Sequence, residues 1–203
     1  MLRALLLATL AAAQSAGAGD WRTASDEGGV RVETRDLVGS SFDEIRVTAR
    51  AAVPPVQACE AIWAISPGKT EPGYRKREVL RETQTDRWTY EQVAVPLVSD
   101  RDYTVHLWGE KADERGCLVK FDLDNERGPA PRDGVVRMQA MRGSWVVTAA
   151  SDGGAQVVYT LFNDPGGNVP AFLSRGTQRA KTVEFVKRVL ARARRASQAD
   201  GGS

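Results

Sequence analysis

Between Tyr74 and Ala150 the chain alternates short strand-like runs with turn residues, and this punctuation limits the possible folds more than any other feature. The runs are Tyr74 to Thr83, Arg87 to Val95, Tyr103 to Trp108, Cys117 to Leu123, Val135 to Met141 and Trp145 to Thr148, followed by Val157 to Phe162. Most connections are shorter than the roughly dozen residues a parallel crossover needs, so the spacing predicts antiparallel neighbours in a meander. Upstream, Val30, Val32 and Thr34 alternate with charged residues, as do Ile45, Val47, Ala49 and Ala51. That pattern predicts a hairpin turning through Val38-Gly39-Ser40-Ser41.

Two segments leave the period of two. Pro54-Pro55 presets a helical entry, and Val56, Cys59, Ile62 and Trp63 gather on one side before Ser66-Pro67-Gly68 ends the helix. After Asn163-Asp164-Pro165-Gly166-Gly167-Asn168-Val169, a long helix is expected from Pro170 to about Arg195. Leu173, Thr177, Ala180, Val183, Val186 and Leu190 form its stripe, broadened by Phe172, Phe185 and Val189. A stripe of that length must cover something apolar. The pieces give an α+β, helix-grip fold: a curved antiparallel sheet of about nine strands, with one helix after the second strand, clasping the long C-terminal helix. Such a grip encloses an apolar lumen wherever side chains do not fill it. The longest irregular insert, Asp124 to Gly134, suits a lid or gating loop and equally a solvated connector.

A chain of 203 residues, 42% hydrophobic, can bury one core, and a net charge of +2 marks no nucleic-acid binder. Met1-Leu2-Arg3 and the apolar run Ala4 to Ala13 have the form of a signal peptide cleaved after Ala18. The expected organisation is a leader over 1–18, one domain over 19–196 and a disordered polar tail over 197–203. The apolar run is too short for a comfortable membrane span and no Cys follows it to take a lipid, so a soluble periplasmic or secreted protein is expected. Retention of the run as a helix of the domain is the alternative. Cys59 and Cys117 stand on a predicted helix and a predicted strand, and the sequence fits a bridge or two buried thiols.

The familiar catalytic patterns are missing. One histidine and two cysteines 58 positions apart do not make a zinc site. Gly68-Lys69-Thr70 lacks the earlier glycine of a phosphate loop, which falls at Trp63, and no Gly-x-Gly-x-x-Gly joins a strand to a helix. His106 has the chemistry of a general base, but alternation puts it opposite the face of Tyr103, Val105 and Leu107, which favours a structural or exposed histidine.

One ordered set of residues is more specific. Pro96 and Ser99-Asp100-Arg101-Asp102-Tyr103 are followed by Val136-Arg137-Met138, Gly143-Ser144-Trp145 and Asp164-Pro165-Gly166-Gly167-Asn168-Val169-Pro170. In this order they resemble the START family of lipid-transfer domains, over roughly Trp21 to Arg195. The resemblance implies a helix-grip fold enclosing one lipid, with no cofactor, and with the long loop and the helix end moving to admit it. Burial of each methylene would supply about 0.8 kcal/mol.

The lumen candidates are Trp88, Tyr90, Tyr103, Val105, Leu107, Phe121, Met138, Trp145, Tyr159, Leu161, Phe172 and Thr177, each of which also fits ordinary core. Tyr159 is the preferred polar contact, because it resembles ceramide-binding members in its spacing from Asp164-Pro165-Gly166-Gly167. Trp88 and Leu107 stand where sterol-binding members carry a buried acid and Arg, which implies a more apolar lumen. The family's longer amino-terminal helix is also missing. Arg101-Asp102 reads as a ligand-side charge pair or as a strand-end pair. Arg175, Arg179, Lys181, Lys187, Arg188, Arg192, Arg194 and Arg195 oppose only Glu184 on the last helix. They suit an anionic membrane surface, or a helix end complementing its own dipole. Lipid binding or transfer is the leading expectation. A helix-grip cyclase, aromatase or hydrolase, with His106 or Tyr159 as acid or base, is the alternative, followed by an interaction protein with a packed core.

Overall fold

The computed structural model describes residues 18–64, 73–95, 98–110, 112–167 and 171–200, with side chains in the last helix from 176 to 199. The expected leader up to residue 17, the helix stop at 66–68, Pro96 and the side chains of Phe172, Leu173 and Arg175 lie outside the described residues. The described chain forms one open sheet of ten strands. They are β1 (Arg22–Glu27), β2 (Val30–Arg35), β3 (Glu44–Ala51), β4 (Tyr74–Glu82), β5 (Asp86–Val93), β6 (Asp100–Gly109), β7 (Gly116–Leu123), β8 (Val135–Arg137), β9 (Ala140–Ala149) and β10 (Ala155–Asp164). Two helices join them, α1 (Pro55–Trp63) and α2 (Ala171–Asp200).

The strand order β1-β2-β3-β10-β9-β7-β6-β5-β4 corrects the expected meander in one place. β3 pairs with β10, and α1 carries the chain from β3 to β4 at the far edge. β1 was not anticipated because its six residues are all exposed and carry no apolar alternation, so α1 follows the third strand rather than the second. The run Val135 to Met141 divides into two strands. β8 pairs parallel with the start of β6, and the chain then breaks where Met138 N donates to Asp102 O (3.0 Å) and Gln139 N to Asp164 O (3.2 Å). α2 continues to Asp200, so the predicted polar tail is helical at 197–200.

Cross-strand register fixes one inner face, on which both helices lie. Val47, Tyr159, Trp145 and Val119 form one row across β3, β10, β9 and β7. Ala49, Val157, Val147 and Cys117 form the next. These β-branched and aromatic residues fit a pleated, half-buried surface. α1 buries Ala58, Cys59, Ala61 and Ile62, and α2 buries Val186, Val189, Leu190 and Ala193, at positions three and four apart that gather on one helix face. Cys59 and Cys117 are bridged, with Cα atoms 6.2 Å apart, so α1 is tied covalently to β7. Gly143 marks a close approach of strands. A Cβ there would sit 2.1 Å from Thr160 O and 2.4 Å from the Phe121 ring, so only glycine lets β9 come this close to β10.

Candidate ligand-binding site

The inner face of β4, β5 and β6 differs from the apolar rows just described. Glu91 on β5 is opposite Arg77 of β4 and Tyr103 of β6, and all three point inward. Arg77 Nε donates to Glu91 Oε1 (2.7 Å), and the Tyr103 hydroxyl donates to Glu91 Oε2. The Arg77 side chain is 4% exposed and that of Glu91 9%, so this ion pair is almost fully withdrawn from water. The Arg77 guanidinium stacks on Tyr74 at 3.9 Å, and its two terminal nitrogens donate to no described residue. Burial lowers the Arg77 pKa, but Glu91, Tyr74 and Tyr103 more than offset it, leaving the group above the ordinary arginine value. Burial, then the charge of Glu91, pushes the Tyr103 hydroxyl well above the usual tyrosine range, which keeps it protonated as a donor. Further along β5, buried Arg87 donates to Glu82 and to the carbonyl of Trp63 at the end of α1.

Sequence reasoning missed Arg77 and Glu91 and expected a more apolar interior. On β5 the large apolar residues point the other way. Trp88 is opposite His106 and Tyr90 opposite Thr104, all on the outer face, while Arg87, Thr89 and Glu91 face inward. Trp88 and Tyr90 are therefore not lumen residues, a correction with a physical cause: loop Asp124 to Gly134 covers them from outside. Trp88 Nε1 donates to Asp124 Oδ2 (2.8 Å), and Arg132 donates to the Tyr90 hydroxyl (2.8 Å) and to Gln92 Oε1 (2.5 Å). Asn125 accepts from Thr104 N (2.9 Å) and donates to Met138 O (3.1 Å). The loop is thus pinned to the face away from the helices and is no inner-face lid, and its exposed Glu126, Arg127 and residues 130–134 fit the solvated connector. The signal that locates Glu91 is β6, whose alternation places Tyr103, Val105 and Leu107 inward and draws their β5 partners Glu91, Thr89 and Arg87 with them.

His106 takes the outer face, as alternation predicts. Its ring stacks between Trp88 (4.1 Å) and Trp108 (4.8 Å), and Nε2 lies 2.8 Å from Asp86 Oδ1. It cannot serve as a base for a molecule held on the inner face.

Of the other candidates, Tyr103, Val105, Phe121, Met138, Trp145 and Tyr159 are buried within the inner-face cluster, and Leu107 and Leu161 are half-buried against it. Tyr159 packs on Trp145 (4.2 Å), Phe121 (5.7 Å) and Phe185 (5.7 Å). Burial raises its hydroxyl far above the usual tyrosine range. Thr177 is exposed near the start of α2 and joins no buried cluster.

The two most specific motifs meet in space. Arg101 is 2% exposed and donates to Pro165 O (3.3 Å), Gly166 O (3.1 Å) and Ser99 O, fastening β6 to the turn that launches α2. Gly166 and Gly167 hold φ of 67° and 66°, a conformation costly for other residues, and Asp164 Oδ1 accepts from Gly166 N (2.9 Å). Asp102, 1% exposed, accepts from Arg137 Nε (2.8 Å) and from the Tyr90 hydroxyl (3.0 Å) on the outer side. Arg101 and Asp102 are therefore buried and do separate structural work, rather than forming a strand-end pair.

No family model matches the chain. An uncharacterized protein of Pseudomonas aeruginosa is 27% identical over 181 residues, covering 84% of this chain and 85% of that protein. The crystal structure of a STAR-related lipid transfer protein from Xanthomonas axonopodis is similar at TM-score 0.74 and 26% identity, over 86% of this chain and 98% of that one. Human STARD10 is similar in fold at TM-score 0.74 and 14% identity, over 89% and 76% of the two chains. The Streptomyces aromatase/cyclase Zhui is similar at TM-score 0.57 and 19% identity, over 79% and 98%.

Proposed function

On this START helix-grip fold, we propose that the protein binds one lipid between the inner face of its sheet and α2, and carries it in an exported, aqueous compartment. The observation that carries the reading is the Arg77–Glu91–Tyr103 cluster. A buried ion pair costs several kcal/mol of desolvation, and two apolar residues of the same volume would fold as well. Arg77 stands on the face of the sheet on which the helices lie, and its two terminal nitrogens donate to no described residue. A ligand head that accepts hydrogen bonds would complete them, while Glu91 holds the local charge near neutral. The apolar body would lie against Val105, Leu107 and Phe121, gaining about 25 cal/mol per Å² removed from water.

Loading and release would take place at an anionic membrane surface. Arg179, Lys181, Lys187, Arg194 and Arg195 are exposed on α2, and Glu184, its one acid in this stretch, lies 3.9 Å from Arg188. Native mass spectrometry of the purified protein, followed by lipid extraction, tests the reading. A bound lipid lost in Arg77→Met/Glu91→Leu is expected. No copurifying lipid and no uptake from a broad lipid panel would overturn it.

A second reading has one observation in its favour. Glu91 and Tyr103 form a buried acid and hydroxyl pair on the inner face of a fold shared with an aromatase/cyclase. Here the cluster would hold and protonate a hydrophobic substrate, and turnover of a polyketide-like substrate abolished by Tyr103→Phe would favour it over lipid carriage.

A further inference from the structure

We infer that the outer face carries a second site, for one acidic sugar unit, in a groove at the tight point of β9. The groove has a volume of about 320 Å³ and is lined by Trp108, Lys120, Asp122, Arg142, Ser144 and Thr160, with Glu44 at its rim. Register explains why these residues share one place. Trp108, Lys120, Ser144 and Thr160 form one outer row across β6, β7, β9 and β10, and His106, Asp122, Arg142 and Phe162 form the next. Gly143 lies between the two rows. With no side chain there, the Phe121 ring packs over Gly143 on the inner face, and on the outer face the strand backbone at Phe121 and Gly143 floors the groove.

The lining is chemically unfinished. Lys120, Asp122 and Arg142 have no hydrogen bond or ion pair with any described residue, although Asp122 and Arg142 are direct cross-strand partners. Arg142 lies over the Phe162 ring at 4.5 Å, which fixes the guanidinium plane and leaves its N–H edges open. Asp122 is half-buried, and burial raises its pKa. Trp108 is held by its stack on His106, and Glu44 is already neutralised by Arg35 at 2.5 Å. A ligand that satisfies all of these needs a flat apolar face for the indole, hydroxyls for Asp122, Ser144 and Thr160, and one anionic group for Lys120 and Arg142. A pyranose bearing a carboxylate has all three. The volume of the groove suits one ring. Because the groove and the Arg77–Glu91 cluster lie on opposite faces of the sheet, this site stands independently of the lipid reading.

The test titrates the full chain with D-glucuronate, D-glucose and acetate and follows the Trp108 indole N–H by NMR. Glucuronate is expected to shift that signal saturably, glucose about tenfold more weakly, and acetate not at all. Arg142→Gln should weaken glucuronate about tenfold and leave glucose unchanged. Lys120→Gln gives the same readout without disturbing the Phe162 stack. Uptake of lipid should be the same in both variants as in the parent. The inference fails if no sugar shifts Trp108, if acetate matches glucuronate, or if both variants bind glucuronate like the parent.

Discussion

The two halves of the inner face are built on opposite rules. From β2 through β9 the inward residues are Val32, Ile45, Val47, Ala49, Val157, Trp145 and Val147, covered by α1 and α2 and tied by the Cys59–Cys117 bridge. From β4 to β6 they include Arg77, Arg87, Thr89 and Glu91, with Tyr103 and Val105 between them. The first half needs nothing beyond itself. The second keeps charged groups in a low-dielectric setting that a folded domain of this size gains little from, and a bound guest would repay that cost. On the proposed reading stability and binding would be housed in different halves of one sheet, so variants in each should separate the two properties.

The largest effect is expected in the packed half. The bridge closes a loop over a sequence separation of 58, which in the chain-entropy treatment contributes about 4 kcal/mol. Cys117→Ser, read by thermal melting, should lose most of that and still load lipid at a temperature where it is folded. If lipid loading disappears while the fold persists, the separation of the halves is wrong.

Breaking the charged half should cost slightly less and act differently. Glu91→Leu leaves Arg77 buried without its carboxylate and should destabilise by about 3 kcal/mol. The double variant Arg77→Met/Glu91→Leu should recover most of that stability, by urea unfolding, while remaining unable to hold the ligand head. A double variant that is both as unstable as the single and competent for lipid would show the pair to be structural.

Between the halves lies the Arg101 fastening. Arg101→Met removes three donors to the Ser99, Pro165 and Gly166 carbonyls and should cost about 2 kcal/mol. Hydrogen exchange should accelerate at the turn before α2 and much less at Val157 or Val189. Uniform acceleration through the sheet would mean that the turn and the packed half unfold as one unit.

How much of this was legible in the letters follows the same division. In the packed half, apolar alternation and burial coincide: Ile45, Val47, Ala49 and Ala51 read as an inward row and are one. The order of motifs also gave the helix-grip fold. In the charged half the rule inverts, because Trp88 and Tyr90 find a cover outside, hydrogen-bonded by Asp124 and Arg132 of the Asp124 to Gly134 loop. No local pattern reports where a loop will fold back. Arg77 and Glu91 look like ordinary solvated strand residues until the partner strands are known. β1 escaped for a simpler reason, since a wholly exposed edge strand has no hydrophobic period to detect.

The smallest effect belongs to a carboxylate on the outside of the packed half, which isolates what burial adds to an ion pair. Glu33 bonds Arg46 at 2.7 Å, with Arg31 at 3.3 Å, but both arginine side chains are well exposed, at 30% and 50%. The bond to Arg46 lowers the Glu33 pKa below 4.5, burial opposes this, and the charges of Arg46 and Arg31 reinforce it. A carboxylate with a lowered folded-state pKa contributes stability that is complete above its unfolded value and fades as pH falls through the folded one. Glu33→Gln should therefore cost no more than about 1 kcal/mol at pH 7, and the difference from the parent should begin to shrink below pH 4.5 and vanish once the pH has fallen below the lowered folded-state value. Urea unfolding of both chains across that window decides the matter. A deficit that persists unchanged in acid would show that Glu33 acts through packing rather than charge, and the contrast with the buried Arg77–Glu91 pair would then rest on geometry alone.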